Sequence, residues 1–237
     1  DIKYVKRFRE TDLTEREFWD LKTYAEDAGF IPICTGFDEP SISRIEEMQF
    51  PIIKIASCSF TDWPLLNRIA ETDIPIIAST ATATLPQIDN VVSFFTNRNK
   101  HLTLMHCVAE YPTGADKLQM NQIKILKERY PGIKVGFSTH EDPAIKGTLP
   151  VAIAMGAEVF EKHVGVETEE YALNAYSATP EVVRDWLRSA QEGLAMCGDT
   201  ENRIYFTDKE ISDIRTFKRG VFANRDISAG ETVTRAD

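Results

Sequence analysis

The chain has 237 residues, 43% hydrophobic and 27% charged, enough apolar material to pack one large or two small domains. A formal net charge of −10, with no basic cluster interleaved with aromatics, argues against nucleic acid as a partner and is compatible with a locally positive pocket for a small anion. No apolar run reaches the roughly 18 residues of a membrane span, and no signal-peptide pattern opens the chain.

The chain begins at Asp1 in polar sequence with no leading strand, which reads as part of a longer product. A helical pattern at 15–28 precedes an apolar, β-branched run at 31–35. Helix and strand patterns then alternate: helix 42–48, strand 52–57, helix 64–71, strand 74–79, helix 86–95 and strand 102–108. Helix 121–130, strand 133–138, helix 149–155 and strand 159–163 continue the series. Thr179 and Pro180 supply an N-cap and a first-turn proline for the longest helix, which runs to about Cys197 before Gly198. From about Asn202 the pattern changes to short strands at 217–223 and 226–231 joined by a turn. The boundaries read as a barrel domain at 1–200 and a linker plus the start of a small domain at 201–237.

Successive strands start 21 to 31 residues apart, the spacing of β-α units, and their near-continuous apolar runs suit parallel strands covered on both faces. The fold class is α/β. No glycine-rich phosphate loop follows a strand, which disfavours a nucleotide-binding open sheet. An eight-unit barrel takes about 250 residues. Six units here fall between Glu15 and Cys197, so the expectation is a TIM-type (β/α)8 barrel whose first two strands lie upstream of Asp1. Cys34, Cys58, Cys107 and Cys197 form no C-x-x-C pair and read as buried, reduced thiols of a cytoplasmic protein.

His140 and His163 close the last two strand runs. If those strands are parallel neighbours, both imidazoles point into one mouth at the C-terminal ends, where α/β folds place their chemistry. Two neutral imidazoles begin a divalent-metal site, with water or a substrate oxygen filling the remaining positions. The other strand ends add Thr35, Lys54 with Ser57, Ser79 with Thr80, His106 with Tyr111, Ser138, and Lys162. Such a set suits a phosphorylated or carboxylated substrate held beside a metal. The hydroxyls are equally common caps and turn formers. His106 stays open between rim and core. Lys54, an ammonium inside Ile53-Lys54-Ile55, needs a partner.

Several stretches match one family in order and spacing: Thr35-Gly36-Phe37-Asp38-Glu39-Pro40, Lys54-Ile55-Ala56-Ser57, Pro64-Leu65-Leu66 and Ser79-Thr80. His106-Cys107 with Glu110-Tyr111-Pro112, Gly136-Phe137-Ser138-Thr139-His140, and Gly156-Ala157 before Glu161-Lys162-His163 complete the set. The chain resembles the sialic acid synthase (NeuB) family, most closely its spore-coat-polysaccharide-biosynthesis branch. The resemblance implies a (β/α)8 barrel followed by a small antifreeze-protein-like domain, whose start would be 217–231. It also implies a homodimer in which one chain's small domain reaches the other's site. The implied reaction of carbohydrate biosynthesis joins phosphoenolpyruvate to an N-acylated amino sugar, giving a nonulosonic acid with Mn2+ or Mg2+.

By the same resemblance, His140 and His163 would ligate the metal, and Lys54, Tyr111 and Ser138 would be the catalytic set. Lys54, Ser79 and Ser138 would hold the carboxylate end, Thr35 and Ser57 the phosphate, with Tyr111 and Ser177 toward the sugar. The chain departs from the family pattern at Ala81 (usually Gly), Ala109 (Asn), Thr139 (Asp) and Ala172-Leu173-Asn174 (Pro-Asp-His). Ala109, Thr139 and Leu173, read as lying on the sugar side, motivate one alternative, a sugar- or phosphate-binding barrel without catalysis; a further alternative is another phosphoenolpyruvate-dependent sugar-acid synthase. The family's first strands carry a glutamate and a Lys-Phe-Gln motif, so the 237 residues alone are expected to be inactive.

Overall fold

The computed structural model describes residues 5–198, 202–203 and 206–237. They fall into two compact units, Asp1–Cys197 and Gly198–Asp237. The first unit carries strands β1 (Ile33–Thr35), β2 (Ile52–Ile55), β3 (Ile76–Ser79), β4 (Leu102–Cys107), β5 (Lys134–Thr139) and β6 (Val159–Lys162). Its helices are α1 (Val5–Glu10), α2 (Glu15–Asp27), α3 (Glu39–Glu47), α4 (Trp63–Ala70), α5 (Leu85–Thr96), α6 (Asn121–Arg129), α7 (Thr148–Ala154) and α8 (Pro180–Cys197).

Local chemistry sets the helix starts. The Thr14 side chain accepts from the Glu17 backbone N–H, and Glu17 accepts from the Thr14 N–H at 2.7 Å, a capping box that opens α2. Thr84 and Gln87 repeat the device at α5. Asp38 caps α3 by accepting from the Ser41 N–H at 2.8 Å, so α3 begins three residues before the helix predicted at 42.

All six strands are parallel and stand in chain order, β1-β2-β3-β4-β5-β6, so each right-handed crossover returns its helix to the same face of the sheet. Alternation along each strand then sorts the side chains. Ile53, Ile55, Ala78, Leu104, Val135 and Phe137 turn to the helices and pack with residues such as Ile42, Leu66, Ile69, Val91, Phe95 and Ile123 in one buried cluster. The opposite, inner face carries Lys54, Ser79, Cys107, Ser138 and Glu161, with Cys107 beside Ser138 and Ser138 beside Glu161 in register. Gly136 allows β5 to lie close: a Cβ there would sit 2.3 Å from the Val159 carbonyl oxygen and 2.4 Å from Met105 Sδ.

The alternating β/α reading therefore holds, and closure into a barrel is not seen among the described residues, where β1 and β6 each keep a free edge. The predicted strand at 52–57 stops at Ile55, because Ser57–Ser59 turn as a 3-10 segment. Of the four cysteines, Cys107 is buried and Cys34 half-buried, whereas Cys58 and Cys197 lie at the surface rather than in the core.

In the second unit, helix α9 (Asp208–Arg215) is capped by Thr207, whose side chain accepts from the Glu210 N–H. Part of the linker expected from 201 onward lies outside the described residues. The strands predicted at 217–223 and 226–231 do not form. An isolated two-stranded ribbon is marginal in water without a packing face, and Phe217, Val221 and Phe222 are fully or almost fully exposed.

Candidate active site

Lys54 is the hub of the inner face. Its Nζ donates to Ser79 Oγ at 2.6 Å and lies 3.2 Å from Glu161 Oε2. Ser138 Oγ donates to the other Glu161 oxygen at 2.8 Å. One carboxylate thus gathers an ammonium from β2 and a hydroxyl from β5, giving the half-buried lysine the partner that its apolar strand demands. Thr35 stands next to Lys54 in register. Ser57 Oγ accepts from the Ala81 N–H at 3.2 Å and sits 3.3 Å from Cys107 Sγ, which ties the start of the 3-10 turn to the ends of β3 and β4.

The two histidines lie where the β5–β6 ladder stops. Its last register pair is Thr139 with Lys162, and one step further sets His140 beside His163. Their ring centroids are 5.2 Å apart. His140 Nδ1 is 2.9 Å from the Val108 carbonyl, so that nitrogen carries the proton and Nε2 keeps its lone pair. Burial is the main cause holding both imidazoles below the usual histidine range, and for His163 the neighbouring His140 adds to it.

Tyr111 and Tyr176 close an aromatic cluster around the histidines. The Tyr111 ring is 4.4 Å from His140 and 5.2 Å from Tyr176, and Tyr176 meets His163 edge-on at 5.0 Å. Burial raises the Tyr111 phenol above its ordinary value, helped by nearby Cys107 and Tyr176. The chain after β6 returns to this spot because the Ala178 N–H donates to the His163 carbonyl at 2.8 Å, leaving Ser177 buried one residue away.

Neutral imidazoles suit a first-row divalent ion. Among the described residues no group of three or more His, Cys, Asp or Glu side chains is placed to hold one. His140 and His163 fit such an ion as two of its ligands, with water or substrate oxygens as the rest.

Sequence-predicted residues Lys54, Ser57, Ser79, Ser138, Tyr111, His140 and His163 are thus brought together at the strand ends, with Thr35 in register at one edge and Ser177 behind His163. Two expectations need correction, and the open position of His106 is settled. Lys162 is not on this face: neighbours in a strand point oppositely, and its ammonium is 3.2 Å from Glu141 on the helix side. Thr139 is buried on the helix side too, so its difference from the family pattern removes no group from the site. His106 is a core residue, donating from Nε2 to the Leu118 carbonyl at 2.8 Å and stacked on Phe137. Sequence reasoning passed over Glu161 and Tyr176. Glu161 could have been found by counting two residues back from His163 to the same face; Tyr176 comes from a loop with no periodic signal.

The NeuB family model matches residues 1–202. A crystal structure from Chromobacterium violaceum, provisionally described as spore coat polysaccharide biosynthesis protein E, is 52% identical with a TM-score of 0.92, covering 99% of this chain and 70% of that one. The N-acetylneuraminic acid (sialic acid) synthetase of Leptospira borgpetersenii, solved with citrate, is 26% identical with a TM-score of 0.80 over 91% of this chain and 75% of that chain. The N,N'-diacetyllegionaminic acid synthase of Legionella pneumophila is 27% identical across 95% of this chain, which spans 64% of that enzyme's length.

Proposed function

Because the chain belongs to the NeuB family, we propose that it is the site-bearing part of a synthase that condenses phosphoenolpyruvate with an N-acylated amino sugar to give a nonulosonic acid. The observation that carries this reading is the continuous rim from Lys54 and Ser79 through Ser138 and Glu161 to His140 and His163. It offers cationic and hydroxyl donors for an anion beside two neutral imidazoles.

In this reading Lys54, Ser79 and Ser138 bind the carboxylate of phosphoenolpyruvate, and Thr35 and Ser57 its phosphate. Glu161 holds Lys54 and Ser138 in place before the substrate arrives, so little reorganisation is left for the reaction. Tyr111 and Ser177 face the sugar, and the Tyr111–Tyr176 wall shields the mouth from water. His140 and His163 would hold Mn2+ or Mg2+, which when bound supplies Lewis-acid polarisation of the sugar aldehyde. Reaction at the aldehyde joins C3 of phosphoenolpyruvate to the sugar carbon; water then adds at C2 and phosphate leaves with C–O cleavage.

The test is phosphate release from phosphoenolpyruvate with Mn2+ across a panel of N-acylated amino sugars, on the full natural protein. Turnover that disappears in His140→Ala/His163→Ala supports the reading. Binding of phosphoenolpyruvate without turnover on any sugar would favour a barrel that binds without catalysis, and no binding at all would overturn the assignment.

A further inference from the structure

On the reverse side of the same strand ends lies a second pair. Glu141 follows His140 and Lys162 precedes His163. Lys162 Nζ is 3.2 Å from Glu141 Oε1, with side-chain exposures of 3% and 1%. Among the described residues it is the one ion pair with both side chains buried. Thr148, in the first turn of α7, donates to the same Glu141 oxygen at 3.0 Å, and Lys162 Nζ stands 6.0 Å from the centre of the Trp186 ring on α8. Glu141 Oε2 is buried without a hydrogen-bond partner.

A buried ion pair is an inefficient way to gain stability, since two apolar side chains of similar volume often do as well or better. What it adds is direction. The regular β5–β6 ladder ends at Thr139 and Lys162, so His140 and His163 project just beyond the last registered pair. From Lys162, level with Thr139, the ion pair reaches two residues up the neighbouring strand to Glu141 and braces the two chains diagonally. Because adjacent residues point to opposite faces, fixing 141 against 162 on the helix side fixes 140 against 163 on the inner side. The Thr113 N–H, donating to the His140 carbonyl at 2.9 Å, holds the same chain end from the β4 side.

We propose that Glu141 and Lys162 are positioning residues: their buried ion pair sets the separation and facing of the His140 and His163 imidazoles, and thereby the affinity of the site for a divalent ion. The inference rests on the metal role of the two histidines for its second readout only; the first is the arrangement of the imidazoles themselves. It assigns Lys162 a task distinct from the substrate contact that its place beside His163 suggests.

The experiment compares the full chain with Glu141→Leu/Lys162→Met, Glu141→Gln and Lys162→Arg. One readout is the imidazole 1H–15N spectrum of metal-free protein at fixed pH; the other is Mn2+ affinity followed by electron paramagnetic resonance. The apolar double variant is expected to keep the wild-type melting temperature within a few degrees. Its His140 and His163 signals should nonetheless broaden or split, and Mn2+ binding should weaken by about tenfold or more, the scale seen when outer-shell partners of metal ligands are lost. Lys162→Arg should restore a single imidazole set and near wild-type affinity. Glu141→Gln keeps the side-chain volume and the Thr148 hydrogen bond, and decides the matter should the double variant unfold. Folded variants with unchanged imidazole spectra would overturn the proposal, as would altered spectra with Mn2+ affinity unchanged from a wild type that binds the ion. A wild-type protein that binds no Mn2+ would sink the metal reading of the site, while the spectra would still decide the role of the pair.

Discussion

Lys54 and Glu161 share one problem, a charge on a surface that is only partly wet, and solve it together. The Lys54 side chain is 12% exposed and that of Glu161 42%, so the lysine depends on the pair more than the glutamate does. A dianionic or trianionic ligand entering here would take over the Lys54 hydrogen bonds without first having to turn the lysine toward it. Lys54→Met is therefore expected to weaken phosphoenolpyruvate binding by about ten- to a hundredfold, the value of one charged hydrogen bond at ~1.5–3 kcal/mol, as read by calorimetric titration. An unchanged dissociation constant would place the anion elsewhere. Lys162 behaves differently under the same substitution. Removing it strands a buried carboxylate, so Lys162→Met alone should cost about 3–5 kcal/mol of folding stability, whereas changing Glu141 and Lys162 together should cost little. Chemical denaturation of the single and double variants checks this, and equal losses in both would show that Glu141 is not charged against Lys162.

Among the elements, β5 has the narrowest tolerance. Gly136 lets it pass Val159 and Met105 at distances no side chain would allow, so Gly136→Ala is expected to lose about 1–3 kcal/mol, or roughly 3–10 °C in melting temperature. Between α5 and α6, Arg129 donates two hydrogen bonds to Asp89, at 2.7 and 2.6 Å, and Tyr130 a third at 2.7 Å. These donors, Arg129 first, hold the Asp89 carboxyl at about 2 against an ordinary 3.8. A lowered folded value means that the contribution is complete above the ordinary aspartate range and is lost as the pH falls toward 2. Melting curves of Asp89→Asn should lie below wild type at pH 6 and converge with it between pH 4 and 2; a constant gap would show that the carboxylate charge is not responsible. The helix and strand periods of these elements are plain in the sequence, and most boundaries fall within two or three residues of those observed. Ends are less readable where a cap or turn intervenes: Asp38 starts α3 early, and the Ser57 turn stops β2 short. At the site, strand ends pick out Lys54, Ser138, His140 and His163, because parallel strands expose those ends together. Lys162 was misplaced by treating adjacent residues as one cluster where the two-residue period separates them. Tyr176 escaped altogether, since its position depends on a backbone bond from Ala178 that no local pattern announces.

Among the described residues, the first unit is a sheet with helices on one face and open edges at β1 and β6. Beside the β1 edge, Phe30 and Ile31 are each 70% exposed and Ile33 47%. An uncovered apolar edge is a template for pairing with another chain. At high concentration the 237-residue chain is expected to run above its 26.8 kDa monomer mass by light scattering, and Ile31→Lys should return it toward the monomer. A monomer at all concentrations would show that the edge is covered in solution. No helix among the described residues is long and apolar enough to cross a membrane. The strand order carries one more consequence. From β2 onward each strand lies beside the one made just before it, so each later β-α unit leaving the ribosome finds its docking surface already built. The order of synthesis can then be the order of assembly, and the rim is finished only when the last strand is added. A nascent chain halted before Val159 would already hold most of its core, yet would have a single imidazole where the finished protein has two.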